Sequence, residues 1–111
     1  MPRVTSAGFI QDLEARDRRS QLGWYDDEAE VSIVCRGQRS RQHLRGKSAI
    51  GEWIDQTCSS CRAVRVVYHV EHNNEMTVIA EFQDHDGAYG IYSCVAQVEG
   101  GVIVSQQVVL Q

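Results

Sequence analysis

The stretch Trp24-Tyr25-Asp26-Asp27-Glu28-Ala29-Glu30-Val31 divides the chain into a helical beginning and a sheet-rich remainder. Two aromatic residues close an apolar helical stripe, three acids follow, and an alternating apolar run begins at Ala29. Asp and Glu are poor strand residues and serve well in turns, so the acids predict a helix-to-strand corner. This corner indicates an architecture, but it does not identify a substrate.

Two helices are predicted before the corner. Thr5 or Ser6 can cap the first, whose apolar residues follow at helical spacing. Asp17 can cap a second, short helix that runs from Arg18 to about Tyr25. The apolar residues of the first helix are Phe9, Ile10 and Leu13.

Sheet dominates after the corner, with one helix inserted. Alternation over residues 29–35 predicts a first strand, and His43 to Arg45 is a short second one after a polar loop. Lys47 opens a helix whose apolar residues lie at i, i+3 and i+4, and which ends near Cys58–Cys61. Four strands joined by tight turns then form an antiparallel meander. They are predicted at Val64–Glu71, Met76–Phe82, Tyr89–Val98 and Val102–Leu110.

This element order predicts an α+β fold, in which three helices from the N-terminal half pack on one face of a curved, mainly antiparallel sheet. At 111 residues the chain is expected to form one domain, residues 1–111. A sheet that wraps around helices leaves a concave face, where ligand pockets tend to form.

Composition excludes several classes of function. The net charge of −4 argues against nucleic-acid binding, and the cations at Arg36, Arg39, Arg41, Arg45 and Lys47 are interpreted as a solvated loop. No apolar run is long enough to span a membrane, and the first residues lack the apolar core of a signal peptide. We therefore predict a cytoplasmic protein with reduced cysteines, no membrane association and no cofactor.

The motifs resemble the nuclear transport factor 2-like (NTF2-like) superfamily, especially its SnoaL-like and ketosteroid isomerase-like branches. Asp17, Leu22 and the stretch Trp24–Val31 are similar to the second helix of that family and its Y-x-D-D-A-x-V corner. Leu44-Arg45-Gly46-Lys47-Ser48-Ala49-Ile50 is similar to the x-x-G-x-x-A-I start of its third helix. The resemblance implies a cone-shaped roll. It says little about function, because this fold hosts isomerases, cyclases, dehydratases, hydrolases and binding modules.

The resemblance also allows the isomerase positions to be checked one by one. Ketosteroid isomerases use a tyrosine on the first helix, an aspartate base on the first strand and a protonated aspartic acid on the penultimate strand. Counting from the shared motifs places Phe9, Ile33 and Cys94 at these positions. Phe9 and Ile33 have no lone pair to accept a proton, and a buried Cys94 would keep its own. The isomerase chemistry is therefore absent from its usual places.

The side chains that are predicted to face the concave side form a largely apolar lining. Strand alternation makes Tyr92 and Gln106 its polar points, which suits a flat or aliphatic ligand held by one or two hydrogen bonds. The alternative is that the side chains meet and fill the interior. The predicted ligand-binding residues are Phe9, Ile33, Trp53, Met76, Tyr92, Cys94 and Gln106.

Two other patterns could carry chemistry. His69 and Glu71 form an H-x-E pair, which could hold a metal but is interpreted as exposed sheet surface. Cys58-Ser59-Ser60-Cys61 has the C-x-x-C spacing of redox and metal sites, yet it closes a helix, where the dipole does not lower a thiol pKa. A zinc site would need further ligands, and Cys35 and His43 could reach only if the loop folds back. We predict no metal site and interpret the cysteines as structural.

Three functions follow. The first is a domain that binds a small apolar ligand and lacks the isomerase acids. The second is a non-isomerase enzyme of the cyclase, dehydratase or hydrolase type, acting on a polyketide-like or steroid-like substrate. The third is an interaction module, because mixed apolar and polar residues on the outer sheet face predict a homodimer, as is common in the resembled family. These outer residues are Thr77, Ile79, Glu81, Ile91, Ser93 and Val95.

Overall fold

A computed structural model describes residues 5–37 and 41–111, which fold into three helices and six strands. The helices are α1 (Ser6–Ala15), α2 (Arg18–Gly23) and α3 (Gly46–Ser60). The strands are β1 (Tyr25–Cys35), β2 (Arg41–Arg45), β3 (Cys61–His72), β4 (Glu75–Asp84), β5 (Tyr89–Glu99) and β6 (Val102–Leu110). None of the helices in these ranges is long and apolar enough to cross a bilayer.

The six strands form one mixed sheet in the order β2-β1-β6-β5-β4-β3. Strands β3 to β6 form the predicted antiparallel meander, and β1 inserts beside β6 in parallel. The helices contact the sheet mainly through α1 on β3 and α3 on β1. The predicted α+β roll is therefore confirmed, and its concave face lies beneath the helices.

Both predicted helix caps are confirmed by hydrogen bonds at the first turns. The Gly8 N–H donates to Thr5 Oγ1 at 3.1 Å, and the Ser20 N–H donates to Asp17 Oδ1 at 3.0 Å. Each bond satisfies an amide that the helix itself leaves without a partner. These caps fix where α1 and α2 begin over the sheet.

The corner differs from the sequence prediction. Helix α2 ends at Gly23 rather than near Tyr25, and β1 begins at Tyr25. The three acids, predicted as a turn, lie inside β1, where the pairing with β6 is irregular between Tyr25 and Glu30. Tyr25 is buried, with 4% of its surface exposed, so packing of this side chain overrides the low strand propensity of the acids.

Strands β2 and β3 also begin earlier than the sequence predicts. Strand β3 begins directly at Cys61, and β2 begins at Arg41 rather than His43. The part of the predicted basic loop that contains Arg39 lies outside the described residues.

Strand β3 is an edge of the sheet and carries an irregularity between Val66 and Tyr68. At this point the Val66 N–H donates to Glu14 Oε2 of α1 at 3.0 Å. The irregularity moves Tyr68 and Val70 to the outer face, opposite Ile79 and Thr77. Such irregularities increase twist and bend a strand, which helps the sheet to curl over the helices.

Candidate functional site

A cavity of about 300 Å³ lies between the helices and the concave face of the sheet. This volume is at the lower end of the range for small-molecule sites, roughly 300–1,000 Å³. Its wall includes the exposed side chains of Gln56 and Ser60, which places its mouth at the C-terminal end of α3. The lining residues are Phe9, Leu13, Gln21, Tyr25, Trp53, Ile54, Gln56, Thr57, Ser60, Cys61, Val64, Phe82, Tyr92 and Leu110.

The wall contains no formal charge among these fourteen residues. It is built from aromatic and aliphatic side chains of α1, α3 and the meander, with amides and hydroxyls in the minority. A charged molecule would lose its hydration in this cavity without a counter-ion, which costs several kcal/mol. The cavity therefore favours an uncharged guest.

A buried polar chain links two tyrosines of the wall. The Tyr25 hydroxyl donates to Gln106 Oε1 at 2.5 Å, and Gln106 Nε2 donates to the Tyr92 hydroxyl at 3.0 Å. Gln106 itself is 2% exposed and lies behind the wall. Alternation along β6 turns its side chain to the same inner face as the buried residue Val108. Without the two hydroxyls this amide would be a costly unpaired polar group.

Burial keeps the hydroxyls of this chain protonated. Desolvation raises the pKa of both Tyr25 and Tyr92 well above the ordinary value of a phenol, and the neighbouring Cys94 thiol adds to the increase. Desolvation also raises the pKa of the Cys94 thiol. The three groups are therefore uncharged near neutral pH and act as hydrogen-bonding groups rather than as ions.

The mouth is held by contacts from α1, α2 and the β4–β5 turn to the end of α3. Arg16 Nη1 donates to the Cys61 carbonyl at 2.7 Å, and Arg18 Nη2 donates to Ser59 Oγ at 3.0 Å. His85 Nε2 lies 2.9 Å from the Ser59 carbonyl oxygen. These contacts order the segment that ends α3.

Cys58 and Cys61 are free thiols, and both are buried at this mouth. Gln21 Nε2 donates to Cys58 Sγ at 3.7 Å, and Cys61 is part of the wall. Desolvation raises the pKa of both thiols. The C-x-x-C pair closes α3, as the sequence predicts, and it lacks the lowered pKa that would activate it as a nucleophile.

The depth of the cavity depends on a close contact across two strands. The ring of Phe82 on β4 lies over Gly90, its partner on β5. A Cβ at Gly90 would meet Phe82 Cζ at 2.3 Å and Cε2 at 2.7 Å. The absence of a side chain at Gly90 is therefore what lets the Phe82 ring lie against the sheet and leave the cavity open.

The structure separates the predicted ligand-binding residues into two groups. Phe9, Trp53 and Tyr92 line the cavity, and Trp53 is half-buried rather than fully enclosed. The other four are packed in the core without lining it. These four residues are Ile33, Met76, Cys94 and Gln106.

Other predicted residues lie away from the wall. His69 and Glu71 are exposed on β3, and no group of three or more His, Cys, Asp or Glu side chains suited to a metal occurs in residues 5–37 and 41–111. Phe9, Ile33 and Cys94, which the resemblance places at the isomerase positions, are all buried. The wall thus contains no carboxylate or imidazole from any of its residues.

Eleven of the fourteen lining residues are not among the predicted ligand-binding residues, and three of them show why. The sequence predicts Tyr25 at the end of α2 with its ring facing inward, whereas the structure places it at the start of β1, where it lines the cavity. Gln21 and Cys61 line the mouth because α2 packs on α3, a contact that local periodicity does not show.

No protein-family model matches the sequence, and no curated protein matches it significantly. Solved structures do match its fold. An NTF2-like protein of unknown function from Burkholderia xenovorans LB400 has a TM-score of 0.76 and 13% identity, with 95% of this chain and 78% of that chain covered. An NTF2-like protein of unknown function from Cytophaga hutchinsonii has a TM-score of 0.68 and 12% identity, with 95% of each chain covered.

A candidate ketosteroid isomerase from Kribbella flavida is also similar, with a TM-score of 0.78, 9% identity, and 96% of this chain and 74% of that chain covered. At such identities the likeness shows the fold alone. The chain has an NTF2-like fold, as the sequence motifs predict.

Proposed function

We propose that this NTF2-like chain binds a small, uncharged, mainly apolar molecule in the cavity between α1, α3 and the concave sheet face. The observation that carries the proposal is an uncharged wall around a cavity of about 300 Å³. This wall includes Tyr25 and Tyr92, whose hydroxyls are both hydrogen-bonded to Gln106. Apolar walls with a few placed polar groups are the usual composition of small-molecule sites.

Binding is better supported than acid–base catalysis. A non-isomerase enzyme would need a group within reach of its substrate that exchanges a proton near neutral pH. Tyr25, Tyr92 and Cys61, which are the titratable residues of the wall, all have pKa values raised by burial. Each keeps its proton at neutral pH, so each suits recognition rather than proton transfer.

Equilibrium dialysis against the hydrocarbon 2-isopropylnaphthalene tests the proposal directly. Val64→Phe replaces a small aliphatic side chain of the wall with an aromatic ring that takes up cavity space. We expect the affinity for 2-isopropylnaphthalene to fall about tenfold, since overpacking costs ~1–3 kcal/mol. Val67→Phe is the matched control, because Val67 lies three positions along the same strand and is exposed. No binding by the unaltered protein, or equal binding by both variants, would overturn the proposal.

We propose a second function for the outer face of the sheet, which is to bind a second copy of the chain. Tyr68, Val70, Ile91 and Val109 are 37–53% exposed, and strand register places them on this face around the half-buried Ile79. A twofold axis would bring this apolar patch against the same patch of the second copy.

Charge supports a second copy as the occupant of this face. At its edge Arg65 Nη2 pairs with Glu81 Oε2 at 2.9 Å, so these two charges largely cancel rather than repel an identical surface. Ile91→Lys should shift sedimentation towards the monomer, whereas Ala7→Lys, on exposed α1, should not. A monomeric unaltered protein at tens of micromolar would refute this function.

A further inference from the structure

The chain Tyr25–Gln106–Tyr92 has a defined hydrogen-bond direction. An amide oxygen only accepts, so the 2.5 Å contact is donated by Tyr25 to Gln106 Oε1. The amide nitrogen only donates, so the 3.0 Å contact runs from Gln106 Nε2 to the Tyr92 oxygen. The single hydroxyl proton of Tyr25 is therefore engaged, while that of Tyr92 is not needed by Gln106.

One tyrosine hydroxyl proton remains free of Gln106 in either orientation of the amide, although the tyrosine that carries it differs. If the Gln106 amide turned by half a rotation, Tyr92 would donate to the oxygen and Tyr25 would accept from the nitrogen. One hydroxyl proton would still remain for another acceptor. The Cys94 thiol is the other group beside the Tyr92 hydroxyl, and its sulfur is a weak acceptor that an oxygen acceptor can displace.

Both tyrosines line the cavity, whereas Gln106 lies behind them. The remaining proton therefore belongs to a wall residue. A guest that carries a hydrogen-bond acceptor would take this proton in place of the weak sulfur acceptor, whereas a hydrocarbon could not. The hydroxyl oxygens of Tyr25 and Tyr92 can also accept, so a guest that brings its own proton is not penalised.

We propose that the cavity selects molecules that carry one hydrogen-bond acceptor, such as a carbonyl or ester oxygen, over hydrocarbons of the same shape, and that Tyr92 is the donor to this acceptor. This selection rests on the proposed function, because it concerns a molecule in the same cavity. Tyr25 acts as a positioning residue, because its bond to Gln106 Oε1 turns the amide nitrogen towards Tyr92. The Tyr92 hydroxyl proton then remains available to a guest.

Three probes of one shape test the selection by equilibrium dialysis: 2-acetylnaphthalene, 1-(2-naphthyl)ethanol and 2-isopropylnaphthalene. We expect the ketone to bind about three- to tenfold more tightly than the hydrocarbon, the range given by one net hydrogen bond. The alcohol, whose oxygen is also an acceptor, should likewise bind more tightly than the hydrocarbon. Equal affinities would overturn the selection while leaving cavity binding intact, and no binding by any probe would overturn both.

Two variants assign the roles of the tyrosines. Tyr92→Phe should abolish the ketone preference, so that the variant binds the ketone and the hydrocarbon equally tightly. Tyr25→Phe should also reduce the preference, because Gln106 Oε1 then accepts from Tyr92 instead. Tyr89→Phe is the control, since Tyr89 is exposed and outside this cavity. A ketone preference that survives Tyr92→Phe would overturn the assignment.

A spectroscopic measurement keeps the test valid if a variant does not fold. The carbonyl stretch of 2-acetylnaphthalene bound to the unaltered protein should shift to lower frequency than in an alkane solvent, as expected for a hydrogen-bonded ketone. An alkane-like frequency would mean that no donor reaches the guest, and the proposal would fail.

Discussion

Gly90→Ala tests how the cavity is kept open. The added Cβ would lie 2.3 Å from Phe82 Cζ and 2.9 Å from the Gln111 carbonyl oxygen, whereas ordinary contacts begin at 3.4 Å. The Phe82 ring must therefore retreat by about 1 Å, and the free space next to it is the cavity that it lines. Overpacking of this kind costs ~1–3 kcal/mol. We expect Gly90→Ala to lower the free energy of unfolding by about 2 kcal/mol and to weaken binding of 2-isopropylnaphthalene.

Urea unfolding followed by tryptophan fluorescence measures the stability of this variant. A double-mutant cycle with Phe82→Ala isolates the clash, because removal of the ring should recover much of the loss caused by the added methyl group. Gly23→Ala is the matched control, since no heavy atom beyond its chain neighbours and the adjacent helix backbone lies within 4 Å of its Cβ position, and alanine is favoured in a helix. Unchanged stability and binding in Gly90→Ala would refute this account of the wall.

Three further measurements follow from the contacts described. Trp53→Ala should cost about 2 kcal/mol of unfolding free energy, less than the 3–5 kcal/mol of a fully enclosed aromatic residue, because Trp53 is half-buried. The free energy of unfolding should fall as pH rises above about 10, because Tyr92 ionises there in the unfolded chain, whereas its raised pKa keeps it protonated in the folded protein. Tyr92→Phe should make this fall less steep, and Tyr89→Phe should not. Arg16→Met should reduce thermal stability more than Arg19→Met, because Arg16, unlike Arg19, donates to the Cys61 carbonyl at 2.7 Å.

Local patterns predicted most of the fold because most of its elements are locally encoded. Alternation located the four strands of the meander, and the Thr5 and Asp17 caps located α1 and α2. The end of α2 was wrong because Tyr25 bonds to a residue 81 positions away, which no local propensity contains. The irregularity near Val66 was missed because the bend of β3 depends on packing against α1.

The site could be predicted only in part. Helical and strand spacing turned Phe9, Trp53 and Tyr92 inward, and these three residues do line the cavity. Spacing gives the direction of a side chain but not its depth. It therefore did not separate Gln106, which is enclosed behind the wall, from residues that face open space.

The bond between Glu14 and the Val66 amide has a consequence for assembly. Strand β3 is twelve residues long and lies at the margin of the sheet, where its free backbone groups can hydrogen-bond to a strand of another chain. The carboxylate of Glu14 already occupies an outward amide midway along this margin, so an incoming strand would have to displace a charged acceptor before it could pair there. Growth of the sheet into a fibre is thereby opposed.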